Sequence, residues 1–146
     1  MRVQNKVMVV TGGSGIGRAL AFTGERGAGS GSRSEFGVVA RDDAIGGAQA
    51  SRLSTHELNI TDRAAMSTLP AQVVAVHGAV NGLFNHAGIT QPVMHVPDLD
   101  EATIERIMKV NFYGTVWMTK ACLPHLLARP AAHIVHVSRM GGCLSV

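Results

Sequence analysis

Val7-Met8-Val9-Val10-Thr11-Gly12-Gly13-Ser14-Gly15-Ile16-Gly17-Arg18-Ala19-Leu20-Ala21-Phe22 runs an apolar stretch, a glycine-dense turn and a helix-like stretch in immediate succession. Strand, glycine turn, helix is the start of a dinucleotide-binding βαβ unit. Glycines let the backbone turn tightly and come close to a pyrophosphate. The helix start then offers it free N–H groups and a positive dipole end. The spacing departs from strict G-x-G-x-x-G, because Arg18 stands where the last glycine would fall.

Working outward, short apolar runs recur with helical segments between them. Lys6–Thr11 reads as a first strand and Ile16–Arg26 as a helix. Gly37–Arg41 reads as a second strand, followed by a short helix from Ala44 to about Leu53. His56–Ile60 is the third strand. Asp62 to His77 is a helix, with Thr61 or Asp62 as its N-cap. Leu83-Phe84-Asn85 is the fourth strand. Asp98 or Asp100 caps a long helix to about Leu127, in which Ile104, Ile107, Met108, Val110, Phe112 and Val116 fall at mainly helical spacing. His133–Ser138 is the fifth strand. This alternation predicts an α/β fold, a Rossmann-type doubly wound parallel sheet in the order 3-2-1-4-5. Residues 1–146 then form a single dinucleotide-binding domain. The segment from Gly27 to Glu35 is rich in glycine and serine and reads as a loop where a short turn is expected.

Composition narrows the function classes. The 146 residues carry a net charge of +3, but the basic residues are scattered, which speaks against a nucleic-acid partner. No segment approaches the apolar length of a membrane span. Met1 leads straight into the first strand with no room for a signal peptide, so the expectation is a cytoplasmic protein. Cys122 and Cys143 have no metal-ligand spacing, and the seven histidines are dispersed, so no metal site is expected.

Five segments in order resemble the N-terminal part of the short-chain dehydrogenase/reductase family. They are the glycine turn, Leu58-Asn59-Ile60-Thr61-Asp62, Phe84-Asn85-His86-Ala87-Gly88, Val110-Asn111-Phe112-Tyr113-Gly114 and Ile134-Val135-His136-Val137-Ser138. The resemblance implies NAD(P)-dependent oxidoreduction of an alcohol or carbonyl, with a small-molecule substrate and a homo-oligomer built through the long helix. It implies cofactor contacts from Thr11, Gly12, Ser14, Gly15, Ile16 and Gly17, although this turn is one residue shorter than the family's. Arg41 at the end of the second strand favours the 2′-phosphate of NADP over NAD; a solvated charged turn is the alternative. Asn59 and Ile60 match the family's adenine contacts, and Asn59 otherwise reads as a strand-end turn residue. Asn85, Ala87 and Gly88 match the segment that passes close to the cofactor, with Asn85 bracing the sheet and His86 replacing a second asparagine.

The same resemblance places Asn111 in the family's proton relay, holding a water; a hydrogen-bonded structural asparagine is the alternative. The family's proton donor is a tyrosine in a Tyr-x-x-x-Lys motif, assisted by a serine. That motif would fall beyond residue 146, leaving the domain incomplete at its C-terminal end. Ser138 matches the structural serine after the fifth strand, and Arg139 occupies the catalytic serine position. The 146 residues alone are therefore expected to be catalytically incomplete. The rival readings are a non-catalytic nucleotide-binding or dimerising module and a non-functional fragment.

Overall fold

The computed structural model describes residues 6–12, 17, 36–41 and 53–138, with 36–41 and Leu53 described through their backbone. Five strands form one sheet: β1 Val7–Thr11, β2 Phe36–Arg41, β3 Leu53–Glu57, β4 Gly82–Asn85 and β5 His133–His136. Their order is β3-β2-β1-β4-β5, as expected. β1, β4 and β5 are parallel. The chain thus has the α/β layout of a Rossmann-type sheet, whose order reverses between β1 and β4.

The expectation of an all-parallel sheet is corrected at β2, which runs antiparallel to both β1 and β3. β3 begins at Leu53, three residues before the expected His56, so the connection from β2 spans residues 42–52. β3 also ends early. Asn59 Oδ1 accepts from Thr61 N at 2.9 Å and Thr61 Oγ1 at 2.7 Å, and Asp62 N donates to Asn59 O at 2.9 Å, which folds Asn59–Asp62 into a turn. The helices expected at Ile16–Arg26 and Ala44–Leu53 and the loop 27–35 lie outside the described residues, apart from helical Gly17 and the β3 residue Leu53.

Helix α1 spans Arg63–His77. Asp62 is its N-cap, accepting from Ala64 N and Ala65 N at 2.9 and 3.0 Å. Gly78 ends it at φ 78°, a left-handed conformation that glycine adopts without strain. The expected long helix is interrupted. Helix α2 is Glu101–Met108, capped by Asp100 onto Thr103 N at 2.7 Å. A π-helical turn follows at Lys109–Gly114, then helix α3 at Thr115–Leu127.

α1 and α3 pack side by side against the sheet. Val7, Val9 and Leu83 from the strands meet Met66, Leu69 and Val73 of α1 and Met118, Cys122 and Leu126 of α3. Burial pushes the Cys122 thiol up to about 12. Of the six apolar positions expected on the long helix, Val110 is buried and Ile107 is half-buried. Ile104, Met108, Phe112 and Val116 are exposed.

Candidate functional site

The C-terminal ends of β1 and β4 are adjacent at the point where the strand order reverses, which is where an open α/β sheet offers a crevice. Thr11 ends β1 and is buried. Its Oγ1 accepts from His86 N at 3.1 Å and Ala87 N at 3.2 Å, and donates to Phe84 O at 3.4 Å. One hydroxyl thus ties the end of β1 to the segment leaving β4.

Gly12 follows at φ 85°. A Cβ there would stand 3.0 Å from both N and Cα of Ala87, so the two main chains meet where a side chain has no room. Gly17, buried and helical, faces the carbonyl of Gly12 and the ring of His86, and a Cβ on it would run into that carbonyl. This close approach is what a glycine turn needs to bring backbone N–H groups to a phosphate. Ser14, Gly15 and Ile16 lie outside the described residues.

A second polar group lies beside it. Asn111 stands inside the π-helical turn, a feature that recurs at functional sites. Its Oδ1 accepts from Ile89 N at 2.8 Å and its Nδ2 donates to Ile89 O at 2.9 Å. Gly88 lies next to it, and a Cβ there would be 3.3 Å from Asn111 Oδ1. Asn111 therefore clamps the segment after β4 onto the helical layer. Its main-chain carbonyl accepts from Thr115 Oγ1 at 3.1 Å, and the Thr115 carbonyl accepts from Thr119 Oγ1 at 2.7 Å.

Asn85 closes this polar chain. Its Nδ2 donates to Thr119 Oγ1 at 3.1 Å and to His136 Nδ1 at 3.2 Å, joining β4 to α3 and β5. Its Oδ1 is buried with no partner among the described residues. Sequence reasoning missed Thr115, Thr119 and His136. The available signal was the position of His136 level with Asn85 when β4 and β5 are aligned.

Other expected site residues fall elsewhere. Arg41 pairs with Val7, at the end of the sheet away from the glycine turn, because β2 is reversed. Asn59 lies at the correct sheet edge, but its Oδ1 is spent on Thr61. Ile60 is 3% exposed and belongs to the core, where it fills the space left by Gly114. Ser138 follows β5 and is exposed, and Arg139 is outside the described residues. Tyr113 is stacked on Trp117 with ring centroids 5.5 Å apart, and Phe112 meets its ring edge-on at 5.2 Å. Among the described residues no group of three or more His, Cys, Asp or Glu could hold a metal ion. None of the described helices is long and apolar enough to cross a membrane.

Comparison with known proteins agrees with this layout. A family model described as short chain dehydrogenase matches residues 6–146. A Mycobacterium tuberculosis protein named SadH is 36% identical, the match covering 98% of this chain and 52% of that protein. The 3-oxoacyl-[acyl-carrier-protein] reductase FabG of Thermotoga maritima is 30% identical, over 97% of this chain and 58% of the enzyme. The crystal structure of a short-chain dehydrogenase from Streptomyces avermitilis superposes with a TM-score of 0.56 at 31% identity, covering 61% of this chain and 32% of that one. The chain spans about half the length of the curated relatives it matches.

Proposed function

The chain belongs to the short-chain dehydrogenase family, and from that premise we propose that it forms the dinucleotide-binding part of an NAD(P)-dependent oxidoreductase acting on an alcohol or carbonyl. The observation that carries this reading is the junction of Gly12 and Gly17 with the backbone of His86 and Ala87. It sits where the strand order reverses and is locked by the Thr11 hydroxyl. The residues present fit a dinucleotide, since Gly12 and Gly17 hold both ends of the glycine turn close against the end of β4 at the switch point of the sheet.

When bound, the nicotinamide would exchange a hydride with the substrate carbon. Thr11, Gly12 and Gly17 would hold the cofactor's diphosphate side. Ala87 and Gly88 would let it pass close to the end of β4. Asn111 would fix that segment through Ile89 and turn its remaining Nδ2 hydrogen toward a water of the proton relay. Arg41, the residue that would favour NADP, pairs with Val7 at the far end of β1. The cofactor proposed is therefore NADP or NAD, and the substrate a small molecule with a carbonyl or hydroxyl group.

These 146 residues alone are proposed to turn over no substrate. Their one tyrosine, Tyr113, is engaged with Phe112 and Trp117, and the residue four places after it is Trp117 itself. A proton donor is worth roughly 10²–10⁴-fold in rate. Calorimetric titration with NAD and NADP tests the binding reading. Saturable binding that Gly12→Val removes supports it, and the absence of heat with both cofactors refutes it. Carbonyl-dependent oxidation of NADPH by the purified chain would refute the proposed lack of turnover.

The exposed apolar side chains of Ile104, Met108, Phe112, Val116, Leu123 and Leu127 favour a second property, self-association through the α2–α3 layer. Light scattering over a concentration series tests it; a monomer at all concentrations refutes it.

A further inference from the structure

Ser54, His56 and His77 meet at the outer edge of the sheet, where β3 lies with β2 between it and β1. The dinucleotide reading uses none of them. Ser54 and His56 stand two apart on β3, so their side chains share one face. Both are half-buried, while Thr55 and Glu57 on the other face are exposed. His77 is the last residue of α1, is buried, and brings its ring onto the same face. Ser54 Oγ lies 2.9 Å from His77 Nε2 and 3.0 Å from His56 Nε2. A hydroxyl has one hydrogen to give. Given to one ring nitrogen, it leaves the oxygen to accept an N–H from the other. Whichever imidazole takes which part, the pair supplies a base for the Ser54 proton and an N–H donor beside it.

We propose that Ser54 is an acyl-accepting nucleophile, served by the His56–His77 pair as base and donor, and that it takes the acyl group of a small activated ester. A serine hydroxyl is a weak nucleophile until a base stands within hydrogen-bond reach of it, which is the arrangement here. In the step, Ser54 Oγ bonds to the acyl carbon and the ester C–O bond breaks. The hydroxyl proton passes to the accepting Nε2 and from there to the departing oxygen. The second imidazole offers its N–H to the oxyanion formed on the way. Nothing is oxidised or reduced, so no cofactor enters, and the acyl group stays on Ser54. Ser67 of α1 is the contrast. It is exposed, and its hydroxyl donates to the Ala64 carbonyl at 2.7 Å, a main-chain group that takes no proton.

The test exposes the full chain to p-nitrophenyl acetate, stops the reaction at intervals and locates the acetyl groups by peptide mass spectrometry. Cleavage after Arg52 and Arg63 separates Ser54 from Ser67. Ser67 is the more exposed of the two, so access alone would favour it. In the native chain Ser54 is expected to be acetylated roughly 10²–10⁴-fold faster than Ser67, the range a positioned base supplies. In urea the two serines should react alike. His56→Phe and His77→Phe, each checked for a wild-type urea midpoint, should bring Ser54 down toward the Ser67 rate. Equal acetylation of Ser54 and Ser67 in the native chain overturns the inference, and that comparison needs no variant. A Ser54 advantage that persists in urea, or in both folded histidine variants, overturns it as well.

Discussion

Replacing Thr11 with valine removes one hydroxyl and keeps the shape of the side chain. The loss is larger than one hydroxyl suggests, because Thr11 Oγ1 accepts from two backbone donors, His86 N and Ala87 N, and donates to Phe84 O. Valine leaves both N–H groups without their partner. A buried orphan donor costs about 1–3 kcal/mol. His86 and Ala87 are half-buried, so water reaches them in part. The two together should cost about 2–3 kcal/mol, a large share of the roughly 5–15 kcal/mol that holds a domain. With a urea slope of about 1–3 kcal/mol per molar, the midpoint should fall by roughly 1 M. Thr11→Ser keeps the hydroxyl and gives up one methyl, at about 1 kcal/mol. It should therefore recover most of the loss. Urea unfolding gives the energies, and amide hydrogen exchange at His86 and Ala87 locates them. Thr11→Val with the wild-type midpoint and still-slow amides at both positions would show that the hydroxyl does not hold the two strand ends together.

Gly12→Ala should destabilise the chain by about 1–3 kcal/mol, because a φ of 85° strains alanine and its Cβ meets Ala87 backbone at 3.0 Å; an unchanged urea midpoint would count against the close approach. Cys122, buried and with its thiol raised to about 12, should resist alkylation at neutral pH in the native chain and react at once in urea. Equal rates in the two conditions would place the thiol at the surface. The Thr103 backbone N–H, with its hydroxyl, holds the Asp100 carboxyl below its ordinary 3.8. A depressed folded-state value stabilises the fold above the ordinary value, and that help is lost as pH falls through the lower one. An NMR titration of Asp100 that gives 3.8 or higher would contradict the cap.

Where local chemistry decides structure, the sequence was legible. Val7-Met8-Val9-Val10 is apolar on both faces because a central strand is covered on both, and all four residues are buried. Asp62 carries a side-chain oxygen ahead of an apolar period, and it caps α1 as expected. Asn111, unfavourable in a helix by propensity, has its polar atoms answered by Ile89 rather than by the helix. The π-helical turn that holds it was not legible, because one wider turn barely disturbs an apolar period. Ile60 is a related case. A strand-end residue before a helix can face cofactor or core, and the choice was made by Gly114, which lies on another element and leaves room for it.

Strand direction was the least legible property, and Arg41 shows why. Phe36-Gly37-Val38-Val39-Ala40-Arg41 is mainly apolar whichever way it is read, so its content fixes its place beside β1 without fixing which end faces the glycine turn. Reversing a strand keeps its neighbours and exchanges its ends. The exchange moves Arg41 from the edge at Thr11 to the edge at Val7, the full length of β1 away. Direction shows only in the ladders, where β2 runs antiparallel to both β1 and β3. The start of β3 was in turn hidden because Leu53-Ser54-Thr55-His56-Glu57 has little apolar content of its own. Its ladder to β2 holds it in place, Ala40 opposite Leu53 and Phe36 opposite Glu57. A binding residue assigned from its position along the chain is thus only as secure as the direction of the strand that carries it. The parallel pairing of β1 with β4 sets the ends of both strands, and with them Thr11, Ala87 and Gly88, at one edge of the sheet.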